Sequence, residues 1–103
     1  MSVVEMEPNN NTAYRYLGYY YLKLESVDKA IESYSRALKI DDMDWEAHNG
    51  LGVAYIFQGR RDDGTIDESY RAKAVEQWNI SLRIRPDQPS ADRLEKWIKS
   101  SLQ

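Results

Sequence analysis

The acids and the histidine around residue 45 are the side chains of this 103-residue chain whose types and spacing best suit chemistry. Carboxylates near an imidazole can bind a cation or transfer a proton. The acidic run lacks the glycine and the terminal glutamate of a calcium-binding loop. We therefore interpret it as a solvated turn, with Asp44 capping the next helix. The acids are Asp41, Asp42, Asp44 and Glu46.

His48 is the one histidine, and it stands at helical spacing from Leu51 and Tyr55. Rings at such spacing usually fill space between helices, so we interpret His48 as a packing residue. The sequence contains no G-x-S-x-G, P-loop, G-x-G-x-x-G or H-E-x-x-H motif. It predicts no enzyme, no metal site and no cofactor.

A second charged group lies between residues 60 and 73, where basic residues alternate with acids. This mixture predicts a solvated surface. The whole chain has 14 basic and 17 acidic residues and a net charge of −3, which gives no bulk attraction to phosphate backbones or anionic lipid. We expect neither a nucleic acid nor a membrane as partner. The basic residues are Arg60, Arg61, Arg71 and Lys73.

Composition indicates one soluble domain, with 42% hydrophobic and 30% charged residues and no cysteine. No apolar run has the length of a membrane span, and residues 1–11 lack the apolar core of a signal peptide. The expected location is the cytoplasm. Residues 1–10 lack helical periodicity and predict a flexible tail.

Apolar residues at steps of three and four predict successive amphipathic helices. The first helix begins near Asn11 or Thr12 and stops near Glu25 or Ser26. The second helix can be capped by Ser26 and runs to about Ile40. The third runs from Trp45 to about Gln58, with Gly59 placed to end it. A last amphipathic segment covers 89–102.

The sequence matches itself at a lag of 34 residues. With the small and aromatic residues that follow, this pattern resembles the tetratricopeptide repeat, a helix-turn-helix unit of that length. The resemblance implies an all-α superhelix of two repeats, 11–44 and 45–88, with a capping helix at 89–103. The matched positions are Tyr14 with His48, Leu17 with Leu51, Gly18 with Gly52, and Tyr21 with Tyr55, followed by Ala30 with Ala74 and Tyr34 with Trp78.

The second repeat contains about ten additional residues, within 60–73. Gly18 and Ala30 are 12 positions apart, whereas Gly52 and Ala74 are 22 positions apart. A T-x-x-E capping box at Thr65 predicts a lengthened helix from about Ile66 to Arg85. Ten extra helical residues would project it by about 15 Å.

The resemblance also implies that the first helix of each repeat lines a concave groove for a peptide or helix of a partner protein. Packing of some of these rings under the tail or the last helix is the alternative. The implied binding residues are Arg15, Tyr16, Tyr19, Lys23, Asn49, Val53, Ile56 and Phe57, with Thr12, Leu22, Glu46 and Gly50 beside them.

One ligand class of the family is disfavoured by the residues themselves. Members that hold acidic chaperone tails use a clamp of Lys and Asn side chains. The corresponding positions here carry Arg15, Tyr19 and Gly50, so only Arg15 fits.

The expected function is a non-catalytic module for protein–protein interaction. Two alternatives remain. The chain can assemble with copies of itself, because two repeats are fewer than the three usually wanted for stability and the first helix has surplus tyrosines. It can also be the end of a longer repeat array.

Overall fold

A computed structural model describes residues 10–101 of the chain. Over these residues the fold is all-α, which confirms the expected architecture of two helical hairpins and a closing helix. The predicted tail at 1–10, apart from Asn10, and Leu102 lie outside the described residues. The helices are α1 (Asn11–Lys23), α2 (Val27–Ile40), α3 (Trp45–Gly59), α4 (Glu68–Ile84) and α5 (Ala91–Ser101).

The first helix of each hairpin begins at a side-chain cap, as the sequence predicted for Asp44. The Asn10 side chain accepts a hydrogen bond from Ala13 N at 3.1 Å, and Asp44 accepts one from Ala47 N at 3.1 Å. Ser26 precedes α2, but its side chain makes no capping hydrogen bond. That expected cap is wrong; the chain instead turns into α2 through Glu25, which has a φ of 60°.

Small residues and large rings alternate where the helices meet. Ala30, Ala37 and Ala47 are fully buried and let the backbones of neighbouring helices approach closely. The Tyr34 ring of α2 packs against Gly18 of α1 and Gly50 of α3. A Cβ at either glycine would overlap that ring, so the glycines are needed for the close approach of these helices.

The ten additional residues of the second hairpin are shared between three places. α3 continues seven residues beyond Gly52, whereas α1 continues five beyond Gly18. The connecting loop has eight residues instead of three, and Ala74 is the seventh residue of α4 where Ala30 is the fourth of α2. The expected 15 Å extension is therefore wrong. Three extra residues lengthen the start of α4 by about 4.5 Å.

The loop at 60–67 forms a short, closed turn. Arg60 and Ile66 form an antiparallel β-bridge, and Asp67 N donates to Gly59 O at 2.8 Å. Gly64, with a φ of 87°, supplies the left-handed conformation that closes the turn. The chain therefore folds back before α4 begins.

The predicted capping box at Thr65 does not form. Both Thr65 N and Thr65 Oγ1 donate to the side chain of Asp63, and α4 is capped by Asp67, which accepts from Ser69 N at 2.8 Å. Hydrogen bonds from Ser69 lower the pKa of Asp67. α4 begins two residues later than predicted.

Gly59 also differs from its expected role. It belongs to α3, and Arg60 follows as the C-cap residue. Gly59 is buried, and a Cβ there would overlap the Tyr70 side chain of α4. The glycine is thus required for helix contact rather than for a left-handed helix end.

Asp44→Ala tests the junction between the hairpins. The carboxylate caps α3 and also accepts from Asn11 Nδ2 and Arg15 Nη1, both at 2.9 Å. Loss of a cap and of buried charged hydrogen bonds is expected to lower the free energy of unfolding by about 3 kcal/mol. Urea denaturation measures it. The control, Asp42→Ala, changes an exposed side chain and should stay within about 0.5 kcal/mol; equal losses would contradict this role for Asp44.

Gly52→Ala tests the contact between α3 and α4. If helix propensity alone mattered, this substitution would raise the free energy of unfolding by about 1 kcal/mol. A Cβ at Gly52 would overlap the Trp78 indole, so overpacking should reverse the sign and cost about 1–3 kcal/mol. Urea denaturation measures the free energy of unfolding of both the Gly52→Ala protein and a control, Asn79→Ala. The control changes an exposed residue of α4 and so reports helix propensity alone. A Gly52→Ala protein as stable as the wild type would show that α4 moves without cost.

Candidate partner-binding groove

A directional chain of hydrogen bonds fixes the segment before α5 to the second hairpin. Ser81 Oγ donates to Trp45 O at 3.1 Å. Gln88 Nε2 donates to Ser81 Oγ at 2.9 Å and to Arg85 O at 3.0 Å, so Gln88 Oε1 is left to accept from Asn49 Nδ2 at 2.7 Å. This network fixes the start of α5 beside α4, where Leu94 and Trp78 share a core cluster against which Val53 and Ile56 of α3 pack.

The first cavity, which we call the proximal pocket, lies between α1, α3 and α5 and has a volume of about 420 Å³. Tyr34 of α2 forms part of it, and burial raises the pKa of its hydroxyl to about 12, so Tyr34 stays neutral. The lining residues are Tyr19, Leu22, Tyr34, Trp45, Glu46, Asn49, Gly50, Val53, Pro89, Ser90, Arg93, Leu94 and Trp97.

A second cavity, the distal pocket, lies where α3 and α4 meet the end of α5 and has a volume of about 500 Å³. Its walls are mostly apolar and include Ile66 from the 60–67 loop. The lining residues are Val53, Ile56, Phe57, Ile66, Arg71, Trp78, Trp97, Ser100 and Ser101.

The two pockets share Val53 and Trp97. Trp97 stands against Trp78 with ring centroids 5.2 Å apart. The pockets are therefore two parts of one concave surface, which we call the groove.

Cations lie over three aromatic rings of the groove. Lys23 Nζ is 5.1 Å from the Tyr19 ring centroid, Arg60 Cζ is 4.7 Å from that of Phe57, and Arg93 Cζ is 5.9 Å from that of Trp97. Within residues 10–101, Lys23, Arg60 and Arg93 form no ion pair. Their charges remain available at the groove edge.

Within residues 10–101, Asn49 leaves one buried polar atom without a hydrogen-bond partner. Its Nδ2 is held by Gln88, and its Oδ1 is buried and makes no hydrogen bond. Buried polar atoms are satisfied in the great majority of cases. Asn49 lines the proximal pocket, but this oxygen is itself buried, so a ligand donor would reach it only if neighbouring side chains moved.

The structure brings together most of the residues expected in the groove. Tyr19 and Asn49 line the proximal pocket, Ile56 and Phe57 line the distal pocket, and Val53 belongs to both. Leu22, Glu46 and Gly50 also line the proximal pocket.

Four of the expected residues are placed differently. Arg15 is bound to Asp44 and lies 3.7 Å from Glu46, so it is not free to serve as a clamp residue. Tyr16 is exposed and, like Thr12, lines neither pocket. Lys23 lies at the edge, above Tyr19.

The far wall of the groove was missed from sequence. Arg93 and Trp97 of α5, Trp78 of α4 and Ile66 of the loop all contribute. Trp97 belonged to the apolar face predicted for the last helix, and that face was the available signal.

His48 has both ring nitrogens occupied by structural contacts. Nδ1 lies 2.6 Å from Gln77 Oε1, and Nε2 lies 2.9 Å from Asp42 O. The side chain is buried between α3 and α4. In the described part of the chain, no three histidine or acidic residues are grouped as metal ligands.

Among residues 10–101 there is no helix of the length and hydrophobicity needed to cross a bilayer. Comparison with known proteins gives two matches. Residues 18–59 match the family model described as TPR repeat, the tetratricopeptide repeat. The chain is 26% identical over 101 residues to the photosystem I assembly protein Ycf3 of Rippkaea orientalis, in an alignment that covers 93% of this chain and 57% of that protein.

The chain thus spans little more than half the length of this relative. The matched residues include the end of α1, all of α2 and all of α3, which carry the close contacts of Tyr34 with Gly18 and Gly50. Residues 18–59 are therefore similar to a tetratricopeptide repeat, and the five-helix fold of the described residues has the helical hairpins that such repeats form.

Proposed function

We propose that the chain is a non-catalytic protein-binding module that holds a peptide or helix of a partner protein in the groove. Tetratricopeptide repeats mediate interactions between proteins, and the relative is an assembly protein by name. The proposal extends this general role to one surface of this chain.

The observation that carries the proposal is the open, ring-lined groove. Tyr19, Phe57 and Trp97 are all large side chains with more than a third of their surface exposed. Contiguous exposed apolar surface rimmed by charge is typical of a protein-interaction site. A partner that covers these rings would remove apolar area from water.

The free Oδ1 of Asn49 supports the same proposal. An extended peptide presents a row of backbone N–H donors, and a donor directed at this oxygen would satisfy it. The oxygen is buried, so the side chains around it must shift for such a donor to reach it.

The proposal includes no catalytic step, in keeping with the two structural contacts of His48. It also keeps the cytoplasm as the location expected from composition. Fractionation of native cells with an antibody against the chain tests that location.

Self-assembly is the alternative with a specific observation behind it. Tyr16 and Tyr20 of α1 and its C-cap residue Leu24 follow one another at four-residue steps and are 64%, 56% and 56% exposed. This stripe, which we call the outer face, is apart from the groove lining. A second copy could cover it.

The longer-array alternative meets a steric difficulty on the α1 side. Tyr16 stands at the position that Gly50 occupies in α3, where the Tyr34 ring of the preceding hairpin packs. A tyrosine there would prevent a preceding helix from approaching α1 as α2 approaches α3.

The groove is tested with Tyr19→Ala combined with Phe57→Ala. Partners are captured from the native lysate, identified by mass spectrometry, and their affinity is then measured with purified proteins. Loss of two aromatic anchors should weaken a groove-bound partner at least thirtyfold, because each anchor contributes about 1–2 kcal/mol or more.

The matched control, Tyr16→Ala with Tyr20→Ala, removes two rings from the outer face and should leave that affinity unchanged. Unchanged binding by the groove variant would refute the proposal. Sedimentation over a concentration series reports on the alternative: a dimer that only the outer-face variant dissociates would favour self-assembly.

A further inference from the structure

Part of the distal pocket is formed by the longer connection of the second hairpin. Its wall includes Ile66, which the turn at 60–67 holds in place through the β-bridge to Arg60. The first hairpin has only residues 24–26 between its helices and so offers no counterpart to Ile66. This end of the groove is therefore particular to the chain, and the inference below rests on the proposed function.

The pocket has the size and lining to take one large apolar side chain. Its volume is about 500 Å³, within the roughly 300–1,000 Å³ typical of ligand pockets. Phe57 and Ile66 line it together with the Trp78 and Trp97 indoles. Aromatic residues are the usual anchors for such a pocket, because they bury much area and have few rotatable bonds.

The charge at the pocket edge indicates what accompanies that side chain. The Arg60 guanidinium stacks over Phe57 at 4.7 Å from the ring centroid and has no carboxylate partner within the described residues. Stacking on a ring leaves the N–H groups at the guanidinium edge free for a carboxylate. Arg93, which lines the proximal pocket, lies 5.9 Å from the centroid of Trp97, the ring that the two pockets share.

The acids around the turn pair with other cations rather than with Arg60. Asp67 lies 3.4 Å from Arg61, and Glu68 lies 3.1 Å from Arg71. The pocket edge therefore presents unpaired positive charge around an apolar centre, in a protein whose net charge is −3.

We propose that the distal pocket binds an aromatic side chain of a partner peptide that carries a carboxylate residue next to it. The aromatic ring enters between Ile66 and Trp97, and the neighbouring carboxylate pairs with Arg60. The turn at 60–67 thus acts as a specificity element, which supplies both the apolar wall and the cation.

The test uses four synthetic peptides, acetylated and amidated, with fluorescence or calorimetric detection. The probe is Gly-Ser-Asp-Trp-Asp-Ser-Gly; its companions replace both Asp with Asn, both Asp with Lys, or Trp with Ala. The Asp probe should bind about five- to tenfold more tightly than the Asn peptide at low salt, from one or two ion pairs at an exposed edge. The Lys and Ala peptides should bind at least tenfold more weakly than the probe. The Asp advantage should shrink at 1 M salt, where charges are screened within about 3 Å.

Two variants connect this selectivity to the turn. Ile66→Ser should weaken the Asp probe and the Asn peptide alike, whereas Arg60→Glu should remove the preference for Asp while the Asn peptide still binds. Arg83→Glu, an equal charge reversal on the exposed outer side of α4, should change neither. Circular dichroism checks each fold, and Phe57→Ala replaces Ile66→Ser if the latter unfolds.

Equal affinity for the Asp, Asn and Lys peptides, or binding that neither Ile66→Ser nor Phe57→Ala affects, would overturn the inference. The inference would also be overturned if the Asp probe did not bind at 1 mM peptide. The same holds if the binding curve followed the formation of a protein dimer measured by sedimentation. In each case, loss of the captured partner by the Tyr19→Ala and Phe57→Ala protein would still support groove binding. Failure of the proposed function would instead appear as retention of that partner.

Discussion

The buried carboxylate of Asp44 is the interaction on which the geometry of the groove depends. It caps α3 through Ala47 N and receives hydrogen bonds from Asn11 and Arg15 of α1, so the first helices of both hairpins are fixed to one group. Burial alone would lower the pKa of Arg15, but the hydrogen bond and charge of Asp44 raise it above its ordinary value. An unpaired charge in this place would be costly. The spacing of α1 and α3, and with it the proximal pocket, follows from this junction.

Local signals in the sequence were sufficient for the first three helices. Asp44 precedes an apolar pattern and caps it, and the 34-residue lag placed Tyr34 and Trp78 in ring positions where the structure buries both. Each of these features depends on residues close in sequence or repeated at a fixed spacing. The all-α fold was predictable for that reason. His48 was likewise expected to pack, and its ring is buried.

The path between α3 and α4 was not predictable in the same way, because local signals competed there. Thr65 with Glu68 fits one capping pattern, whereas Asp67 with Ser69 provides the cap that forms. The choice depends on closure of the turn, where Arg60 pairs with Ile66 and Gly64 adopts a left-handed conformation. Those features depend on the closed conformation of the turn, which the pattern of residue types does not indicate. The position of α5 over the groove depends in turn on the buried amide of Gln88, which carries no periodic signal.

The surface charge of the groove shows why net charge is a poor guide to a partner. The net charge of the whole chain is −3. Within the described residues, however, the cations at the groove edge form no ion pair, whereas Glu46, the acid that lines the proximal pocket, lies 3.7 Å from Arg15. Arg15, the residue that best fitted a family clamp, is neutralised by its own fold. In the proposed groove, the charge offered to a ligand comes instead from Lys23, Arg60 and Arg93, each of which lies over an aromatic ring. At physiological salt, charges act over about 8 Å, so these nearby cations would affect a bound ligand more than the net charge of the whole chain does.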